Sequence, residues 1–152
     1  MATIAKSGRN VGATLIFLLG AAVFLNYVDR GAIGIAAPIM KDELGLSEET
    51  YGLAFSAFFW IYAPVQMFAG WLCDRFSVYR LMTLGILLWA GSTLMMGFAG
   101  GFASLLVLRI MLGVGESISF PGSSKIIARH VAPERRGIAN AAVATGIALG
   151  PA

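Results

Sequence analysis

The sequence predicts an all-α membrane protein, and three observations predict it. Charged residues make up 12% of the chain against 58% hydrophobic, with a mean hydropathy of +0.80; a soluble domain carries about 25% charged residues. Apolar runs of spanning length, about 20 residues each, recur along the whole chain. The cations left over fall in alternate connections, which is how a polytopic protein is oriented. In a soluble protein the net charge of +3 would point to nucleic acid or an anionic surface; here its distribution carries the meaning, and no nucleic-acid partner is expected.

The first run covers residues 11–38. Lys6 and Arg9 precede it, no small-residue cleavage site closes a short apolar core, and its length exceeds a signal peptide, so it reads as a retained helix ending at Pro38. A second run covers 51–72, with Ser47 as its N-cap and Glu48 and Glu49 in a first turn that favours anions. Runs at 81–99 and 102–124 follow, separated by Gly100–Gly101, and Pro133 suits the start of a fifth helix. Pro64 and Pro121 lie inside helices, where a bundle re-satisfies the freed carbonyls. The fifth run, 137–152, holds about 16 residues or roughly 24 Å of helix, short of a core about 30 Å thick. The expectation is therefore a partial N-terminal bundle, truncated within its fifth helix. Pairs such as Gly31/Gly34, Gly113/Gly115 and Gly146/Gly150 predict close helix contacts.

Charges orient these runs. Lys6 and Arg9, Arg75 and Arg80, and Lys125, Arg129, Arg135 and Arg136 belong to the tail and the 73–80 and 125–136 loops; of the loop cations only Lys41, in the 39–50 loop, falls on the opposite side. The positive-inside rule puts the N-terminus in the cytoplasm.

Four charges interrupt the runs. Arg30 follows Asp29, and Arg109 precedes Glu116 by two helical turns, roughly 10 Å of rise. A charge at bilayer depth costs several kcal/mol, so such residues usually face a bundle interior and mark a substrate or ion path. By helix rise Asp29 lies roughly 16 Å below the outer end of its run, Arg109 roughly 10 Å deep and Glu116 roughly 21 Å deep. If the two helices are neighbours, all four charges line one cavity near the midplane. An Arg fork matches a carboxylate bidentately, and a carboxyl group withdrawn from water is suited to carrying a proton. The parts fit organic-anion recognition coupled to proton uptake; a pair of structural ion bridges is the plainer alternative. The other polar residues read blandly. His130 is a solvated loop residue, the lone Cys73 a packing residue, and Asn26 and Gln66 either cross-helix hydrogen bonders or path-lining groups. No nucleophile–base pair, phosphate loop or metal-ligand spacing marks the chain as an enzyme, and no cofactor is implied.

Several segments carry a family resemblance. Asn26-Tyr27-Val28-Asp29-Arg30 resembles an aromatic-x-Asp-Arg signature, and Ser56-Ala57-Phe58-Phe59-Trp60-Ile61-Tyr62 a second-helix segment. Gly70-Trp71-Leu72-Cys73-Asp74-Arg75 with Arg80 resembles a conserved loop. Arg109-Ile110-Met111-Leu112-Gly113-Val114-Gly115-Glu116 with Phe120-Pro121 resembles a fourth-helix motif. Together they resemble the major facilitator superfamily, and more narrowly its anion:cation symporters, which include galactonate, glucarate and hexuronate permeases. The resemblance implies about twelve helices in two halves, with the C-terminal half absent here and the first and fourth helices equivalent in inverted repeats. It further implies that Arg30, Tyr62, Arg109 and Glu116 contact the substrate anion. Asp29 and Glu116 would carry protons, and Gly70, Asp74, Arg75 and Arg80 would gate the conformational change. Ser77, Val78 and Tyr79 depart from the glycine and basic residues usual in the loop motif. Ile147 replaces a polar residue usual in sugar-acid permeases, and Gly146-Ile147-Ala148-Leu149-Gly150-Pro151 also resembles an antiporter motif.

Three readings follow. The first is a proton-coupled symporter of small organic anions such as sugar acids, lodged in a bacterial inner membrane. The second is an exchanger of phosphorylated anions, and the third a membrane scaffold or assembly subunit with structural ion pairs.

Overall fold

The structure, a computed structural model, describes residues 2–150, with side chains from residue 12 onward. It is helical: α1 spans Ala2–Glu43, α2 Glu48–Arg75, α3 Val78–Met96, α4 Phe102–Ser117, α5 Ser119–His130 and α6 Arg136–Leu149, with a 3-10 turn at Pro133–Arg135 leading into α6. Gly12–Glu43, Glu48–Arg75, Val78–Met96 and Phe102–His130 are each long and apolar enough to cross a membrane. Ile35 and Met67 are 82% and 83% exposed, an arrangement suited to lipid rather than water.

Helix ends differ from expectation where local chemistry overrides composition. Pro38 does not end α1, which continues to Glu43. The stop comes from Gly45 at φ +60°, with Leu46 N–H bonding to Lys41 O and Gly45 N–H to Asp42 O, the paired bonds of a Schellman cap. Ser47 caps α2 as expected, its hydroxyl accepting from Thr50 N–H at 3.2 Å. Only Phe76 and Ser77 separate α2 from α3, so Asp74 and Arg75 end one helix and Arg80 sits in the first turn of the next. The expected fourth helix is two: α4 stops at Ser117 and α5 starts at Ser119. Pro121 supplies the reason, because it has no N–H for the Ser117 carbonyl and its ring crowds that group. Beyond it α5 runs to His130, so Lys125 and Arg129 stand on a helix rather than in a loop.

The residues form two compact units, one of Ile33–Gly122 and one of Met1–Ala32 with Ser123–Ala152. In the first, α4 packs against both α2 and α3. Ala54 and Phe58 from α2, Trp89 and Met96 from α3, and Leu105 and Leu112 from α4 build the core, closed at one end by Ile33, Met40, Leu44 and Leu46. Glycine sets both distances. A Cβ on Gly113 would stand 2.8 Å from Phe58 O, and one on Gly115 would stand 2.7 Å from Trp89 N and 2.8 Å from Gly85 O. Neither position has room for a side chain. Gly34, expected at a contact, has nothing within 4 Å.

In the second unit α6 lies on α1 by the same device. A Cβ on Gly146 would meet Phe24 N at 2.8 Å, and one on Gly150 would collide with Tyr27. Val23, Ala139 and Val143 are buried there. Arg136, the first residue of α6, donates from Nε to Val131 O at 3.0 Å and from Nη2 to Ala128 O at 2.7 Å. The end of α5 is thereby capped by a cation, where the macrodipole favours one.

Candidate functional site

The buried face of α4 carries Leu105, Arg109, Leu112, Gly113 and Glu116, a set recurring at helical period. Arg109 is 4% exposed and Glu116 1%. Both are charged types that almost never lie so deep in a soluble protein, and each sits on the face that Gly113 presses against α2.

Aromatic rings are among the groups that Arg109 meets there. Its guanidinium carbon lies over the Phe55 ring at 4.0 Å and over Phe58 at 5.6 Å. An aromatic face attracts a cation, by about 2 kcal/mol or more where water is excluded. Tyr51, Phe55, Phe58 and Tyr62 follow one another along a single face of α2 at spacings that match the helix period. Tyr51 and Phe55 have ring centroids 6.0 Å apart, and Phe58 and Tyr62 stack at 5.3 Å with planes 20° apart. Phe59 meets Phe58 edge-on at 5.0 Å. Tyr62, expected at the site from family likeness alone, thus belongs to the column that underlies Arg109.

Asp29 and Arg30 lie in the other unit, on α1, both half-buried. Arg30 also rests on an aromatic, its guanidinium carbon 4.8 Å from the Tyr27 ring centroid. One turn earlier Asn26 is buried and its Nδ2 makes no hydrogen bond to the protein. The structure therefore brings Tyr62, Arg109 and Glu116 into one unit and Asp29 with Arg30 into the other.

The expected gating residues form a separate group. Asp74, Arg75 and Arg80 are exposed around the α2–α3 connection, and Arg75 lies 5.9 Å from the Trp71 ring centroid. Gly70 has nothing within 4 Å. Among the described residues no three of His, Cys, Asp and Glu come together as metal ligands would.

Sequence reasoning missed Phe55 and Phe58 as partners of Arg109 and Tyr27 as a partner of Arg30. The four-three-four spacing of Tyr51, Phe55, Phe58 and Tyr62 was the available signal, since it puts four rings on one helix face.

Comparison with known proteins adds the context. A profile described as Major Facilitator Superfamily matches residues 19–152. A probable sulfoacetate transporter of Cupriavidus necator is 38% identical over 116 residues, 76% of this chain and 27% of that protein. A probable galactarate/D-glucarate transporter of Bacillus subtilis is 32% identical over 148 residues, 92% of this chain and 32% of that protein. The fold is similar to the crystal structure of a bacterial homolog of the human lysosomal transporter Spinster, inward-facing and occupied. Its TM-score is 0.86 at 25% identity, covering 91% of this chain and 30% of that one. The chain spans about a third or less of the length of these curated relatives.

Proposed function

The chain belongs to the Major Facilitator Superfamily, and from that premise we propose that it forms part of a secondary transporter coupling small organic anions to protons. The observation that carries the reading is Arg109, a guanidinium 4% exposed on an apolar helix and laid over an aromatic ring. A cation kept at such depth is costly and is well matched to an oxyanion, because its fork recognises carboxylate and sulfonate groups through paired hydrogen bonds. The relatives named for galactarate, glucarate and sulfoacetate support that class, since each of these molecules is a small anion.

Arg30, Tyr62, Arg109 and Glu116 are assigned to the substrate, and Asp29 and Glu116 to the proton. Binding of the anion and of the proton are linked in this reading, and such linkage is reciprocal. Gly70, Asp74, Arg75 and Arg80 are assigned to gating, with Asp74 as a charged latch. The excess of cations in alternate connections supports a cytoplasmic N-terminus in the inner membrane.

Uptake of labelled galactarate, D-glucarate and sulfoacetate into cells making the full-length protein tests this reading. Saturable uptake of at least one, abolished by a protonophore and by Arg109→Ala, is expected. Uptake indifferent to the protonophore and accelerated by preloaded phosphate ester would replace it with anion exchange, and uptake of none of the three would reject the anion class.

A further inference from the structure

The contact between Arg109 and Phe55 joins two helices, and it assigns a task to a residue that no motif singled out. We propose that Phe55 is a positioning residue for Arg109: its ring face fixes where the guanidinium points and so sets the affinity for the substrate anion. The inference rests on the reading of Arg109 as an anion-binding group.

Four observations support it. The guanidinium carbon is 4.0 Å from the Phe55 centroid, a separation at which the ring's negative face acts directly on the cation. The cation side of the contact is closed to water, since Arg109 is 4% exposed, while Phe55 is partly buried, so screening weakens the attraction less than at an exposed pair. The ring has an aromatic neighbour one turn back along α2, Tyr51, with ring centroids 6.0 Å apart. The spacing between the two helices is held by backbone, because Gly113, one turn from Arg109, would place a Cβ 2.8 Å from Phe58 O.

The chemistry of the contact suits a binding cation. A carboxylate partner neutralises a guanidinium and occupies its N–H donors. An aromatic face does neither: it leaves the unit charge intact and engages none of the five N–H groups. Paired hydrogen bonding to an oxyanion depends on the direction of the guanidinium plane, so a ring face that fixes this direction raises affinity without itself occupying a donor.

The test is a fluorination series at position 55 of the full-length protein, with labelled galactarate, D-glucarate and sulfoacetate as probes. Each added fluorine drains the ring face while nearly preserving its shape, so packing alone predicts no trend. The half-saturation concentration should rise stepwise, reaching about tenfold for the fully fluorinated ring, with the maximal rate changed less than twofold. Phe55→Leu should show a similar rise, and Phe55→Tyr should stay within about threefold of wild type. Fluorination of Phe59, which is half exposed on the same helix, should change nothing. If Arg109→Ala abolishes uptake while the series at position 55 is flat, Phe55 is a packing residue and the proposal falls alone. If Arg109→Ala leaves the half-saturation concentration unchanged, or no probe is taken up, the reading of Arg109 fails and the proposal falls with it.

Discussion

Arg109 on α4 lies over Phe55 on α2, guanidinium carbon to ring centroid 4.0 Å. The relationship depends on Gly113, one turn further along α4, whose missing side chain lets the helix backbone close on Phe58 O. A buried charge, an aromatic column and a glycine contact therefore form one device, and disturbing any member acts on the other two.

Gly113→Ala should separate α2 from α4. Its Cβ has only 2.8 Å to a carbonyl oxygen that cannot swing away, and overpacking of this kind costs about 1–3 kcal/mol. Gly34→Ala is the matched control, because nothing lies within 4 Å and alanine favours a helix over glycine by about 1 kcal/mol. Denaturant unfolding in detergent, followed by helical ellipticity, should show the first variant less stable than wild type and the second equal or more stable.

Arg136→Ala should fray the end of α5. The variant removes donors at 3.0 Å and 2.7 Å from Val131 O and Ala128 O; both carbonyls regain water, so the net loss is about 1–2 kcal/mol. Trypsin cleavage after Arg129 should accelerate about severalfold on this scale. An unchanged cleavage rate would show that the cap contributes nothing.

Lysine should not replace Arg30 or Arg109. A lysine keeps the charge but lacks the planar fork that pairs with an oxyanion. Arg30→Lys and Arg109→Lys should each raise the half-saturation concentration of anion uptake by about tenfold or more. Wild-type kinetics in both would reduce the arginines to generic positive charge.

Much of this arrangement was legible before the structure. Arg30, Arg109 and Glu116 announce themselves because charge is conspicuous in apolar runs, and Gly113, Gly115 and Gly146 because small residues within membrane helices mark close contacts. Ser47 was readable from its position before two glutamates. The aromatic partners were not, since composition does not separate Phe55 and the 2%-exposed Phe58 from Trp60, which is 59% exposed on the same helix. Only the register of Tyr51, Phe55, Phe58 and Tyr62 tells them apart. Helix ends were misjudged where proline was weighed alone. Pro38 is carried within α1 while Gly45 makes the actual stop, and Pro121 divides a run that hydropathy shows as continuous. The capping role of Arg136 had no local signature, because its acceptors lie five and eight residues back, Val131 O just beyond α5 and Ala128 O in its last turn.

Coupling of anion to proton is the central claim, and Glu116 is its most direct test. It is 1% exposed and two turns from Arg109, and Glu116→Gln mimics its protonated form. The measurement is pH inside proteoliposomes that hold a pH-sensitive dye and the full-length protein, read on adding galactarate, D-glucarate or sulfoacetate. The account predicts substrate-driven proton movement by the wild type. For Glu116→Gln it predicts none, although that variant still exchanges labelled for unlabelled substrate. A Glu116→Gln protein that moves protons with substrate as the wild type does, or concentrates substrate on a pH gradient alone, would contradict it.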